Sequence, residues 1–214
     1  MASFLEPLKN IFSREHPLRV VGIDIGESSI KIVELGKSDE KAVLHNYGEI
    51  ALGPRTGSYV GQATNLPPEK TAEALRDLLR EMGVTVRHAV FILPFKASLL
   101  SLVELPDVSA REMETMIPLE ARKYIPVPIT DVSLDWWVLP KRKTTIPASA
   151  TTEGKGASAP IGKVEVIIAA IPNEVLGRYE TIKKESHLTG MPSHIEIEIF
   201  STLRAVVGHD LAPI

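Results

Sequence analysis

Cysteine is absent from the 214 residues, which excludes disulfides and thiolate metal sites and fits a reducing compartment. Basic residues do not outnumber acidic ones. With 24 Lys and Arg against 27 Asp and Glu the net charge is −3, so no global electrostatic case exists for nucleic acid as a partner. No apolar stretch reaches the roughly 18–20 residues that span a bilayer, and the N-terminus has no signal-peptide layout. A cytoplasmic protein is expected. Glycine-rich loops ending in Lys-Ser/Thr are missing, as are G-x-S-x-G and G-x-G-x-x-G, so the common nucleotide and hydrolase fingerprints are not there. The six histidines are scattered without ligand spacing.

What is present begins at Val20–Leu35, VVGIDIGESSIKIVEL. Two apolar strand-like runs flank a turn of small residues, and Asp24 stands near the inner end of the first run. A plain hairpin would place its acid at the turn or on the wet face. A glycine at such a turn lets the backbone approach a ligand closely, and successive N–H groups there form an anion-binding nest. The serine hydroxyls can bond phosphate oxygens, and an acid at the strand end can hold magnesium through water. A structural Asp-Gly turn has the same composition, so the residues alone leave both readings open.

The remaining pattern is α/β. Strands are expected at about 18–25, 29–36 and 42–51, with Gly36–Lys41 as the turn between the last two. PEKTAEALRDLLREMG reads as a helix: proline in its first turn, Ala72, Leu75, Leu78, Leu79 and Met82 on one face, Gly83 as its stop. HAVFILP is a short apolar run suited to a buried strand. ASLLSLVELP is another strand. A helix follows with Ser109 and Glu112 at capping-box spacing, and Pro118 should kink it. DVSLDWWVLP and GKVEVIIAAIP are strands, with Trp136 and Trp137 on opposite faces. Asn173 is expected to cap the helix EVLGRYETIKKESHL, and the strand MPSHIEIEI and helix FSTLRAVVG close the pattern.

These elements group into an arm (1–17), a first subdomain (18–94 plus 188–208) and an inserted α+β subdomain (95–187). The arm carries Phe4, Leu5, Leu8, Ile11 and Phe12 on one helical face. Residues 140–163, rich in Ala, Ser, Thr, Gly and Pro, are expected to form a mobile loop.

VGIDIGESSIKIVEL resembles the first phosphate loop of the actin-like ATPases. EARKYIPVPITDVSLDWWVL is similar to the segment typical of the PilM family, cytoplasmic actin-like proteins of type IV pilus assembly. EALRDLLREMGV, VFILPFKASLLSLVELP and IEIEIFSTLRAV follow in the family's order. The resemblance implies an actin-like (ribonuclease-H-like) first subdomain with an inserted small α+β subdomain. It implies a second half of the fold, with its own phosphate loop, outside these residues. It also implies a cytoplasmic scaffold, peripheral at the inner membrane, that binds the N-terminal segment of a PilN-like membrane protein in a groove between the two subdomains. Contacts with other inner-membrane pilus components and self-association go with it. Asp24, Gly26, Ser28, Ser29 and Lys31 match the phosphate loop, and Asp24 would face magnesium through water. ATP with magnesium is expected only together with the second half. Glu27 departs from the family, which has a small or hydroxyl residue there. An ATPase in its own right, a type II secretion scaffold and a cell-division actin homologue are the alternatives.

Overall fold

The computed structural model describes residues 19–38, 41–140, 162–188 and 194–207. The arm 1–17 and all but the ends of the 140–163 segment lie outside the described residues.

Among the described residues the chain forms eight strands and four α-helices. β1 (Arg19–Ile25), β2 (Ser29–Ser38) and β3 (Lys41–Ala51) are an antiparallel meander; α1 (Pro68–Glu81) then leads to β4 (Ala89–Leu93). β4 lies parallel to β1, and β8 (His194–Ile197) lies parallel to β4. The sheet order is β3-β2-β1-β4-β8. β5 (Leu99–Pro106), β6 (Val132–Val138) and β7 (Lys163–Pro172) form a second, antiparallel sheet in the order β5-β7-β6. Its helix is α2 (Ala110–Ala121). α3 (Asn173–Glu185) and α4 (Glu198–Val207) complete the chain.

Each sheet has its own core because each obeys period-2 alternation. Val21, Ile23 and Ile25 of β1, Ile30 and Ile32 of β2, and Phe91 and Leu93 of β4 point to one face. There they meet Ala72, Leu75, Leu78 and Leu79, the expected face of α1. Gly83 ends that helix in the left-handed region at φ 67°, where glycine avoids the Cβ penalty. In the second sheet Val103, Leu105, Val164, Val166 and Ile168 meet Met113, Ile117 and Ala121 of α2. Trp136 packs against this core and Trp137, one residue on, faces the other way.

Two details differ from the sequence reading. Asn173 does not cap α3, whose N-cap is Pro172. Its side chain instead accepts a hydrogen bond from Ser133 Oγ (2.8 Å) and donates to the Thr130 carbonyl (2.9 Å). A tertiary partner outcompetes the local cap. Pro118 lies inside α2, where the sequence reading has it, and the helix continues three residues to Ala121. The sequence reading groups 173–187 with the second block, whereas α3 packs beside α1, with Tyr179 and Ile182 buried in the first core. β7 is shared: Ala170 belongs to the second core, and Ala169 and Ile171 to the first. This seam joins the two layers.

Candidate functional site

The carboxyl ends of the parallel strands β1, β4 and β8 emerge side by side, the edge where open α/β sheets bind ligands. From β1 comes the turn Gly26-Glu27-Ser28, from β4 the segment Pro94–Ser98, and from β8 the first turn of α4 with Glu198. All five residues singled out in the first strand pair lie here.

The turn is braced through its carbonyls. Gly26 N–H donates to the Ser29 carbonyl (2.9 Å), Leu52 N–H to that of Ser28 (2.8 Å), and Thr64 N–H to that of Glu27 (2.8 Å). The Thr64 hydroxyl adds a bond to the same Glu27 oxygen (3.3 Å). A Cβ on Gly26 would stand 3.1 Å from the Ser29 carbonyl oxygen, tighter than ordinary packing, so the closed turn favours glycine. Meanwhile the N–H groups of Glu27 and Ser28 have no acceptor among the described residues. Two adjacent unpaired donors on a fixed turn are what an anion needs.

Asp24 is half-buried on the sheet face opposite the first core. The registers place it in one row across all five strands: Glu49, Lys31, Asp24, Ile92, Glu196. At a strand spacing of about 4.8 Å, Asp24 and Glu196 stand roughly 10 Å apart. Burial pushes the Asp24 carboxyl above the ordinary range; Lys31 opposes this and Glu198 adds to it. The opening puzzle of an acid inside a strand thus has a physical form: Asp24 is partly desolvated, with an acid and a cation acting on it from the sides. Ser29 is buried at the start of β2, while Lys31 is exposed.

Four further residues belong to this site and escaped the sequence reading. Glu198 opens α4 and accepts a hydrogen bond from Phe95 N–H (3.3 Å). Lys96 pairs with the Glu27 carboxylate. Tyr179 of α3 donates to the Ile92 carbonyl (3.3 Å); burial, then the Asp24 charge, hold its phenol up at about 12. Glu196 pairs with Arg204 through one oxygen, and its Oε2 is buried with no hydrogen-bond partner among the described residues. Burial raises Glu196 above its usual value, against the pull of Arg204. One signal could have found Glu198: like Asp24, it is an acid at the carboxyl end of an expected strand. Among the described residues no group of three acidic or imidazole side chains could enclose a metal ion.

A second feature lies on the outer face of the three-stranded sheet. Leu100 and Ala169, which are register partners, are drawn into the first core. One row further out, Leu102, Ile167 and Trp137 align across β5, β7 and β6. Leu102 is 59% exposed, and Ile167 and Trp137 are partly so. This apolar row borders the seam between the layers, next to the Leu100–Ala169 pair.

A five-stranded mixed sheet of order β3-β2-β1-β4-β8, with a second three-stranded sheet beside it, has the architecture of an actin-like fold. The chain belongs to the family of the type IV pilus assembly protein PilM, whose family model matches residues 22–152. A solved PilM–PilN type IV pilus biogenesis complex contains a chain 25% identical to this one, with a TM-score of 0.64. The alignment covers 86% of this chain and 48% of that chain, so the present residues span about half its length. The cytoplasmic domain of EpsL, an inner-membrane component of the Vibrio cholerae type II secretion system, is 16% identical with a TM-score of 0.46, over 84% of this chain and 56% of that one. A Bacteroides thetaiotaomicron protein of actin-like ATPase fold is 8% identical with a TM-score of 0.40, over 88% and 55%. Among the described residues no helix is long and apolar enough to cross a membrane.

Proposed function

We propose that this protein is a scaffold of type IV pilus assembly that holds the N-terminal segment of a PilN-like inner-membrane protein and carries the first lip of an ATP site. The observation that carries the partner reading is the bare row Leu102–Ile167–Trp137 beside the seam, in a chain similar to a PilM from a complex with PilN. An extended peptide there would find a few apolar anchors and, along the edges of the small sheet, main-chain hydrogen-bonding groups. Holding such a partner would keep the protein at the inner membrane.

The nucleotide reading rests on the turn. Glu27 and Ser28 N–H would take a phosphate, Ser28, Ser29 and Lys31 would surround it, and Asp24 would hold magnesium through water. ATP bound with magnesium would supply the charged phosphate that this turn meets. Hydrolysis, the mark of an ATPase in its own right, forms no part of the proposal.

Anisotropy of a labelled PilN-type N-terminal peptide tests the partner reading. Leu102→Asp should weaken binding at least 30-fold, about 2 kcal/mol, with little change in folding because Leu102 is mostly exposed. Undetectable binding to the unaltered protein, or unchanged affinity in the variant, refutes it.

A further inference from the structure

Glu27 puts a carboxylate into a turn that is otherwise suited to an anion. The backbone there cannot rotate to carry the acid away, because the Glu27 carbonyl is held by both the N–H and the hydroxyl of Thr64. Only the side chain is free to turn. In the structure it turns to Lys96, 69 residues on, in the segment that leaves β4. That segment is itself fixed: Phe95 N–H is bound to Glu198, and Ala97 and Ser98 N–H close a short turn on Pro94 and Phe95. A lysine on an anchored backbone is thus presented to the acid that stands on the turn itself.

We infer that Lys96 is a positioning residue of the phosphate turn, drawing the Glu27 carboxylate aside and cancelling its charge so that the N–H groups of Glu27 and Ser28 face an incoming phosphate. This rests on the nucleotide reading above. The pair Glu27–Lys96 then does what a small residue at position 27 does without help. Both side chains are more than half exposed, at 61% and 67%, so replacing either leaves the cores untouched.

The test is a titration with magnesium-ATP up to several millimolar, a range chosen for the weak affinity that one lip of the cleft should have by itself, followed through the amide resonances of Glu27 and Ser28. Lys96→Met should weaken binding by about 3- to 10-fold, as expected for one unscreened charge a few ångströms from phosphate in a wet site. Lys96→Arg should restore it. In a Glu27→Ser background Lys96→Met should change nothing, since no carboxylate remains to be held. An equal loss in that background would make Lys96 a direct phosphate ligand and overturn the inference, as would unchanged affinity in Lys96→Met alone. If the unaltered protein shows no shift at these amides, the nucleotide reading fails first and this inference with it. Binding with additive losses would refute only Lys96's proposed role.

Discussion

The two sheets solve the same burial problem with opposite surfaces left over. The five-stranded sheet sends its parallel strands to a common edge, and the residues collected there are polar: Asp24, Glu27, Ser28, Lys96, Glu198. The three-stranded sheet is antiparallel, covers one face with α2, and leaves Leu102, Ile167 and Trp137 on the other. Parallel strands need crossovers that cover faces and concentrate loose ends, which suits a small charged ligand. A short antiparallel sheet with one helix has an uncovered face, which suits a peptide. The division of labour follows from topology before any particular residue is considered.

That contrast is sharpest if the two cores unfold separately. Phe91 is fully buried in the first and meets Tyr179 edge to face, ring centres 6.2 Å apart at 89°. Ile117 is fully buried in the second. Phe91→Ala should cost about 4 kcal/mol and Ile117→Ala about 3. Amide exchange separates the models: Ile117→Ala should speed exchange in α2, β5 and β6 while β1 and β4 stay protected. Equal acceleration everywhere would mean that β7 welds the layers into one cooperative unit.

How far these regions could be read from the sequence depended on whether their signals were local. α1 was legible because its apolar face, its proline and Gly83 lie within sixteen consecutive residues. Asp24 stood out as an acid inside an apolar run. Lys96 and Thr64 did not, because neither carries a mark until the fold places it against Glu27. α3 was assigned to the wrong neighbour for a related reason: periodicity shows that Tyr179 and Ile182 face inward, not which core receives them. Asn173 reads as a cap until Thr130 and Ser133 are brought beside it.

Tyr179 lies beneath the polar edge of the first sheet, its hydroxyl on the Ile92 carbonyl. Its phenol is stabilised in the neutral form, since burial and the Asp24 charge both oppose ionisation. The folded value is about 12 against 10.0 for the free side chain. An acid raised on folding contributes fully below its unfolded value and loses that contribution as pH climbs to the folded one. The protein should therefore lose about 2 kcal/mol between roughly pH 10 and 12 from this group alone. Tyr179→Phe should lack that loss while showing the background decline shared by both proteins. Urea midpoints at pH 8 and 11.5 decide it, and parallel declines would show that the phenol ionises freely.

The smallest expected effect concerns how helices start in the two regions. α1 and α3 begin after Pro67 and Pro172 with no side-chain cap, and packing against the first sheet holds them. α2 instead carries a complete capping box. Glu112 N–H donates to Ser109 Oγ at 3.4 Å, and the Glu112 carboxylate accepts from Ser109 N–H at 2.9 Å and from its hydroxyl at 2.7 Å. Those bonds, side chain first and then backbone, hold the Glu112 carboxyl below its usual value. Ser109→Ala should cost about 1 kcal/mol, the ordinary worth of such a cap, and should move the Glu112 titration upward because the hydroxyl bond is gone. The stabilisation that depends on ionised Glu112 is present above its unfolded pKa and lost as pH falls through the lower folded one, so the variant should lose less stability on acidification. Denaturation at pH 7 and a carboxyl NMR titration measure the two parts. A stability loss with no movement of Glu112 would mean that the hydroxyl serves the helix start by itself, and that the reciprocal box contributes nothing.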